Sequence, residues 1–403
     1  MTFASDDPRP LAGIRVLDLA TFIAAPYCAT LMAEFGAEVI KVELPRIGDP
    51  LRRFGSPTDC GDSLVWLSES RNKRPVTLDL RTPEGAALLK RLAREGDVVC
   101  ENFQPGTLEG WGVGWDALSA ENPALVMLRV SAYGQTGPMR ALPGFGRIAN
   151  AFGGISFLAG HPDREPVTPG SATLADYMSG MYGVIGVLLA LRARDRTGQG
   201  QMVDIGLYES IFRILDELAP SYQQNGFVRQ RMGAGTVNAV PHSHYPTRDG
   251  RWVAIACTND KIFERLARLM DRPELAGDGR FGSIAKREAA RAEVDAMVGD
   301  WTASMDRAEL LGRCADAQVP CGPVYAVDEI FDDPQYAARG NIARVESRIG
   351  ELALPNVMPR LTGTPGAIDW TGRPLGADND AVFRDLLGLS ADEMAALKDK
   401  GVI

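Results

Sequence analysis

Ile14-Arg-Val-Leu-Asp-Leu-Ala-Thr-Phe-Ile-Ala-Ala-Pro-Tyr-Cys-Ala-Thr-Leu-Met-Ala-Glu-Phe-Gly-Ala-Glu-Val-Ile-Lys-Val-Glu43 reads as strand, helix and strand in succession. Ile14 to Leu19 and Ala37 to Glu43 are apolar runs of strand length. Between them, Pro26 to Phe35 has helical spacing and stops at Gly36. The pattern then repeats. Pro75-Val-Thr-Leu-Asp-Leu80, Asp97-Val-Val-Cys-Glu101 and Ala124-Leu-Val-Met-Leu-Arg-Val130 read as further strands. Thr82 caps a helix that runs to Glu95, with Pro83 in its first turn. Strands alternating with helices predict an α/β fold: a parallel sheet wrapped by helices.

Downstream, a Gly-rich stretch from Gly134 to Gly160 precedes an apolar helix that begins near Asp176 and ends at Arg194. Thr197-Gly-Gln-Gly-Gln201 is a turn, Met202 to Leu207 a strand, and Tyr208 to Leu218 a helix. Near residue 225 the texture changes. Pro246 to Ala256 is a hairpin turning at Asp249-Gly250, charged amphipathic helices run from Lys261 to Arg313, and Gln318 to Val324 closes the region. The tail has a Pro/Gly-rich stretch from Pro355 to Gly376 and a last helix from Ser390 to Lys398.

A chain of 403 residues exceeds what one ordinary core holds, so two domains are expected. Hydrophobic residues at 45% and charged residues at 24% are globular values. The net charge of −9 argues against nucleic-acid binding, leaving room for a local basic patch around one phosphate-bearing cofactor. The six cysteines form no Cys-x-x-Cys pair and read as reduced thiols. No signal peptide is evident, and no apolar run approaches the ~20 residues of a membrane helix; Met181 to Leu191 reads as a buried helix. A cytoplasmic protein with no membrane partner is the expectation.

Generic catalytic motifs are missing. There is no phosphate-binding Gly-x-x-x-x-Gly-Lys-Ser/Thr and no Gly-x-Ser-x-Gly, and Gly110-Trp-Gly-Val-Gly114 lacks the spacing of a dinucleotide loop. Of the three histidines, His161, His242 and His244, the last two can share one face of a strand, but no third ligand is visible, so no metal is expected.

Longer strings carry more information. They are Pro10-Leu-Ala-Gly-Ile-Arg-Val-Leu-Asp-Leu19 with Ala24-Ala-Pro26, Gly36 to Glu43 and Gly48-Asp49; Asn72 to Leu80 with Glu101-Asn-Phe-Gln-Pro-Gly106; and Tyr133-Gly-Gln-Thr-Gly-Pro138, Ala149 to Gly154, Asp176 and Arg196 to Gln201. In order and spacing they resemble the family III CoA-transferases, which include formyl-CoA transferase and relatives acting on carnitine, glutarate, malate and citramalate. By itself, an aspartate at a helix start is most simply an N-cap. The resemblance implies more for Asp176. It would attack a donor acyl-CoA, pass through an anhydride to an aspartyl-CoA thioester, and return CoA to an acceptor acid without ATP or metal.

The resemblance also implies coenzyme A contacts at Ile23, Ala24, Leu78, Asp79, Leu80, Arg81, Asn102, Phe103, Gln104, Pro143, Gly144, Phe145 and Gly146. Formyl-CoA transferase has glutamine at the Ile23 position and arginine at the Leu44 position, which leaves Arg46 or Arg52 to supply a phosphate contact. The glycine run of its small domain is also missing, Gly233 to His244 standing in its place, which argues against formyl or oxalyl transfer. Cys60 to Lys73 is most similar to members that use succinyl-CoA with malate or citramalate. The expected substrates are succinyl-CoA or a similar short acyl-CoA and a small dicarboxylate acceptor, its remote group held by Arg71, His242 or His244.

Two alternatives are an α-methylacyl-CoA racemase, against which Phe145 stands at the position of the required histidine, and a non-catalytic CoA-binding subunit, against which Asp176 is retained. The implied architecture is a large Rossmann-like domain whose parallel sheet comes from both chain ends (1–220 and 331–403), a smaller α/β domain at 225–330, and a homodimer of interlocked, ring-like chains.

Overall fold

The computed structural model describes residues 7–171, 173–277 and 279–403. The chain divides into two compact units. The larger takes the chain through Ser156, Thr168–Phe227 and Arg339–Ile403; the smaller takes Phe157–Val167 and Val228–Ala338.

The larger unit is built on a six-stranded sheet with every neighbouring pair parallel. Its strands are β1 (Arg15–Asp18), β2 (Glu38–Glu43), β3 (Lys73–Thr77), β4 (Val98–Glu101), β5 (Val126–Ser131) and β6 (Met202–Gly206). They lie in the order β3-β2-β1-β4-β5-β6. This is the doubly wound arrangement, in which chain order reverses between β1 and β4 and a crevice opens at the carboxyl ends of those strands. The inner strands read as unbroken apolar runs because both their faces are covered. On one face lie Ala24–Glu34 and Leu174–Thr197; on the other lie Pro83–Arg94, Trp115–Glu121 and, from the chain's end, Phe383, Val402 and Ile403.

All six strands lie between Arg15 and Gly206. The C-terminal part therefore adds cover rather than strands to the sheet, a correction to the expectation that both ends supply it. Asn72 anchors this returning segment: its Oδ1 accepts from the amides of Asp369 (2.7 Å) and Trp370 (3.2 Å), and its Nδ2 donates to Ala367 O (2.8 Å). A separate antiparallel hairpin, β10 (Ile342–Ser347) with β11 (Gly350–Pro355), also belongs to this unit.

Other departures have local causes. The third strand begins and ends earlier than expected, because Leu78 and Asp79 turn away, with the Asp79 amide donating to Val402 O (2.8 Å). The helix expected over Tyr208 to Leu218 breaks into Leu207–Phe212 and Leu218–Asn225, with Asp216 at a left-handed φ of 43° between them. The apolar helix runs for 24 residues and is buried on one face only; Ile185, Leu188 and Leu189 are exposed on the other. Among the described residues it is the one helix long and apolar enough to cross a membrane.

The smaller unit has its own core around Phe263, Leu266, Val294 and Leu310. Its three-stranded antiparallel sheet, β7 (His242–Pro246), β8 (Trp252–Ala256) and β9 (Cys321–Pro323), is packed with amphipathic helices, and the Asp249-Gly250 turn falls between β7 and β8.

Candidate functional site

Asp176 lies in the first turn of Leu174–Thr197, and close packing brings that turn to the crevice. Leu174–Thr197 rests against Ala24–Glu34 through small residues. A Cβ at Gly180 would stand 2.8 Å from Ala24 O and 2.9 Å from Tyr27 Cβ, and one at Gly183 would stand 2.9 Å from Leu128 Cδ2. Glycine inside a helix costs about 1 kcal/mol against alanine; here it allows an approach that no side chain permits.

At the carboxyl ends of β1, β4 and β5, a cavity of about 270 Å³ is lined by Thr21, Phe22, Ala24, Asn102, Phe103, Gln104, Val130, Pro143, Gly144, Phe145 and Asp176, among others. A second cavity of about 430 Å³ lies toward β2 and β3, lined by Leu44, Leu78, Asp79, Leu80, Arg81 and Trp111. Thr21 and Phe103 line both. The crevice thus gathers Asp176 and all but two of the thirteen coenzyme A contacts that the resemblance implied. Ile23 is buried with Leu51, Trp66 and Leu67, and Gly146 is buried at the start of a helix; neither lines a cavity.

Burial pushes the Asp176 carboxyl from 3.8 to about 6, opposed only by a hydrogen bond from its own backbone amide. Among the described residues no cation pairs with it. At neutral pH it is therefore an ionised but poorly solvated carboxylate facing a mainly apolar cavity, the condition under which a carboxylate attacks a carbonyl best.

Asn102 has a positioning role. Its Oδ1 accepts from Thr21 N (2.8 Å) and its Nδ2 donates to Thr21 O (2.7 Å), so it clamps the loop after β1 to the end of β4. Phe103 meets Trp111 edge-on, with centroids 5.2 Å apart. Gln104 is exposed. Arg81 is paired with Asp79 at 2.7 Å, which holds the Asp79 carboxyl below its usual range. Phe145, 70% exposed, faces Phe22 edge-on at 6.4 Å. Phe22 itself has a left-handed φ of 60°.

The site has a buried ionic foundation that sequence reasoning did not assign. Lys41 pairs with Asp49 (2.9 Å), and Asp49 Oδ1 accepts from Phe22 N (3.1 Å) and Leu51 N (2.8 Å). Lys73 pairs with Asp18 (2.8 Å) and donates to Pro26 O (2.7 Å). Burial opposes charge on Lys41, but Asp18, Asp49 and Glu43 outweigh it and hold the ammonium protonated. These contacts fix the loop after β1 and the first turn of Ala24–Glu34. Lys41, Asp49 and Lys73 stood inside the quoted strings, yet spacing alone gave no sign that they meet.

Other expected contacts are corrected. Arg52 is buried against Glu43 (2.7 Å), Asp62 (3.0 Å) and the Trp66 ring (3.7 Å), so it has no guanidinium edge left for a phosphate. Arg46, by contrast, is exposed and stands between Leu44 and Ile47 of the second cavity, lining a neighbouring hollow with Lys398 and Thr77. Arg71 is buried against Glu34 (2.9 Å) and donates to Pro355 O (2.8 Å), which removes it as a receptor for a substrate. His242 and His244 lie on β7 of the smaller unit. Thr21, Phe22 and Arg140 line the first cavity without having been singled out.

A doubly wound α/β enzyme with a half-buried, unpaired aspartate at its switch point is the class that fold and site define. The chain belongs to CoA-transferase family III, whose family model matches residues 11–379. It is 54% identical over 397 residues to the beta subunit of a succinyl-CoA–L-malate CoA-transferase of Chloroflexus aurantiacus, covering 98% of each chain. It is 51% identical over 396 residues to an alpha subunit of the same description from that organism, covering 98% of this chain and 92% of the relative. A solved CaiB/BaiF family protein from Brucella suis superposes with a TM-score of 0.83 at 35% identity, covering 94% of this chain and 99% of the other.

Proposed function

We propose that this CoA-transferase moves CoA from succinyl-CoA, or a similar short acyl-CoA, to a small carboxylic acid through an aspartyl-CoA thioester on Asp176. The observation that carries the reading is the half-buried, unpaired carboxylate of Asp176 on the wall of the crevice cavity. Its oxygen attacks the thioester carbonyl and the C–S bond breaks, leaving a mixed anhydride and the CoA thiolate. The thiolate attacks the aspartyl carbonyl and expels the donor acid. The acceptor carboxylate then attacks the aspartyl thioester, releasing thiolate and forming a second anhydride. Thiolate attack on the acceptor's acyl carbonyl regenerates Asp176. Each step exchanges one activated carbonyl for another, and Phe22, Leu142 and Phe145 help keep water from the anhydride.

The adenosine end of CoA is assigned to the second cavity, with Arg81 and Arg46 near its phosphates, and the pantetheine arm to the passage at Thr21 and Phe103. Among the described residues, the lining of the first cavity has no histidine and a single carboxylate, which favours transfer over racemisation, a reaction that needs an acid–base pair. The relatives' names favour a succinyl donor and a hydroxy-dicarboxylate acceptor. We further propose a cytoplasmic enzyme of two interlocked copies.

Incubation with succinyl-CoA and a panel of carboxylates, including malate, citramalate, itaconate and glutarate, tests the reaction. A new acyl-CoA with stoichiometric succinate supports it. No exchange with any acid, together with deuterium uptake at the α-carbon of a branched acyl-CoA, would replace it with racemisation.

A further inference from the structure

We propose that Arg140 receives the free carboxylate of a dicarboxylic acyl group held at Asp176, and so sets a preference for diacids over monoacids. The proposal rests on the transfer reading above.

Among the described residues that line the first cavity, Arg140 and Asp176 are the charged ones. Arg140 is exposed, and among the described residues its guanidinium pairs with no carboxylate. That sets it apart from the buried cations around the crevice. Lys41, Lys73, Arg52, Arg71 and Arg129 are all buried in ion pairs. Arg140 does not neutralise Asp176 either, whose carboxyl is governed by burial and its own amide. The cavity therefore offers a nucleophile and, apart from it, an unsatisfied planar donor.

A guanidinium matches a carboxylate through paired hydrogen bonds. A succinyl group with its thioester carbonyl at Asp176 carries its second carboxylate a short chain away, inside the same cavity of about 270 Å³. The competing anion is the CoA diphosphate, but beside the second cavity stand Arg46, on the adjoining loop, and Arg81, exposed although paired with Asp79.

The test compares isotope exchange between succinyl-CoA and labelled succinate with exchange between butyryl-CoA and labelled butyrate. Butyryl has the same chain length without the second carboxylate. Arg140→Gln should lower kcat/KM for the succinyl pair roughly 10- to 100-fold, the range for a lost hydrogen bond to a charged group. It should alter the butyryl pair less than about threefold and leave inhibition by free CoA unchanged, while Arg140→Lys should restore part of the succinyl preference. Equal losses with both donors, weakened inhibition by CoA, or no change would each overturn the proposal. Absence of exchange by the wild-type enzyme would instead sink the transfer reading itself.

Discussion

Asp176→Asn should destroy transfer and stabilise the protein, and the size of that gain should depend on pH. The carboxyl moves from 3.8 to about 6 on burial. Between those values the folded protein holds a proton that the unfolded chain has lost. Wild-type stability therefore falls as pH rises through this window and stays lowered above it. At 1.36 kcal/mol per tenfold change, the full penalty at pH 7.5 approaches about 3 kcal/mol, and at pH 5 it is about 1.5 kcal/mol. Residual solvent contact reduces both, so a gain of about 1–3 kcal/mol is expected at pH 7.5, shrinking by about half at pH 5. Asparagine is neutral throughout and nearly isosteric. Other shifted carboxyls, such as Glu34, which burial raises to about 7, cancel in the difference between variant and wild type. Urea unfolding of both proteins at the two pH values measures it. A variant less stable than wild type at pH 7.5, or a gap that does not narrow on acidification, would refute an unpaired, desolvated Asp176.

Transfer rate should decline as pH drops through about 6, because protonation removes the nucleophile, and a pH–rate profile of the succinyl exchange reads this directly. Lys41→Met strands the Asp49 carboxylate that holds the Phe22 amide; it should lower stability by about 3–5 kcal/mol in urea unfolding and raise KM for the acyl-CoA. Gly180→Ala places a methyl against Ala24 O and Tyr27, and should cost about 1–3 kcal/mol while lowering kcat, since the two helices that carry the site must part. If the proposed dimer is interlocked, mixing two differently tagged preparations should give hybrids no faster than the protein unfolds; rapid hybrid formation would contradict the linkage.

Much of this was legible in advance because buried parallel strands leave continuous apolar runs. β1, β2, β4 and β5 fell where Ile14–Leu19, Ala37–Glu43, Asp97–Glu101 and Ala124–Val130 placed them, and the Thr82 cap is present, its Oγ1 accepting from Gly85 N at 3.0 Å. Asp176 and most of the crevice lining were likewise found from strings that resemble the family. What escaped notice depends on distant residues meeting. Lys41 and Asp49 look like ordinary surface charges until the fold buries them together. Arg52 and Arg71 look like free cations until Glu43, Asp62 and Glu34 claim them. Arg140 sits in an irregular stretch with no periodicity to betray its direction. The break after Phe212 was hidden because Leu215 and Leu218 continue the apolar spacing through it.

The central claim is that CoA becomes covalently attached to Asp176, and the direct measurement is mass spectrometry of the protein quenched in acid during turnover with succinyl-CoA. A mass increase equal to CoA in thioester linkage, mapped to the peptide containing Asp176, abolished by hydroxylamine and missing from Asp176→Asn, is the predicted result. Sustained transfer with no protein-bound CoA, or an adduct on any other residue, would contradict it.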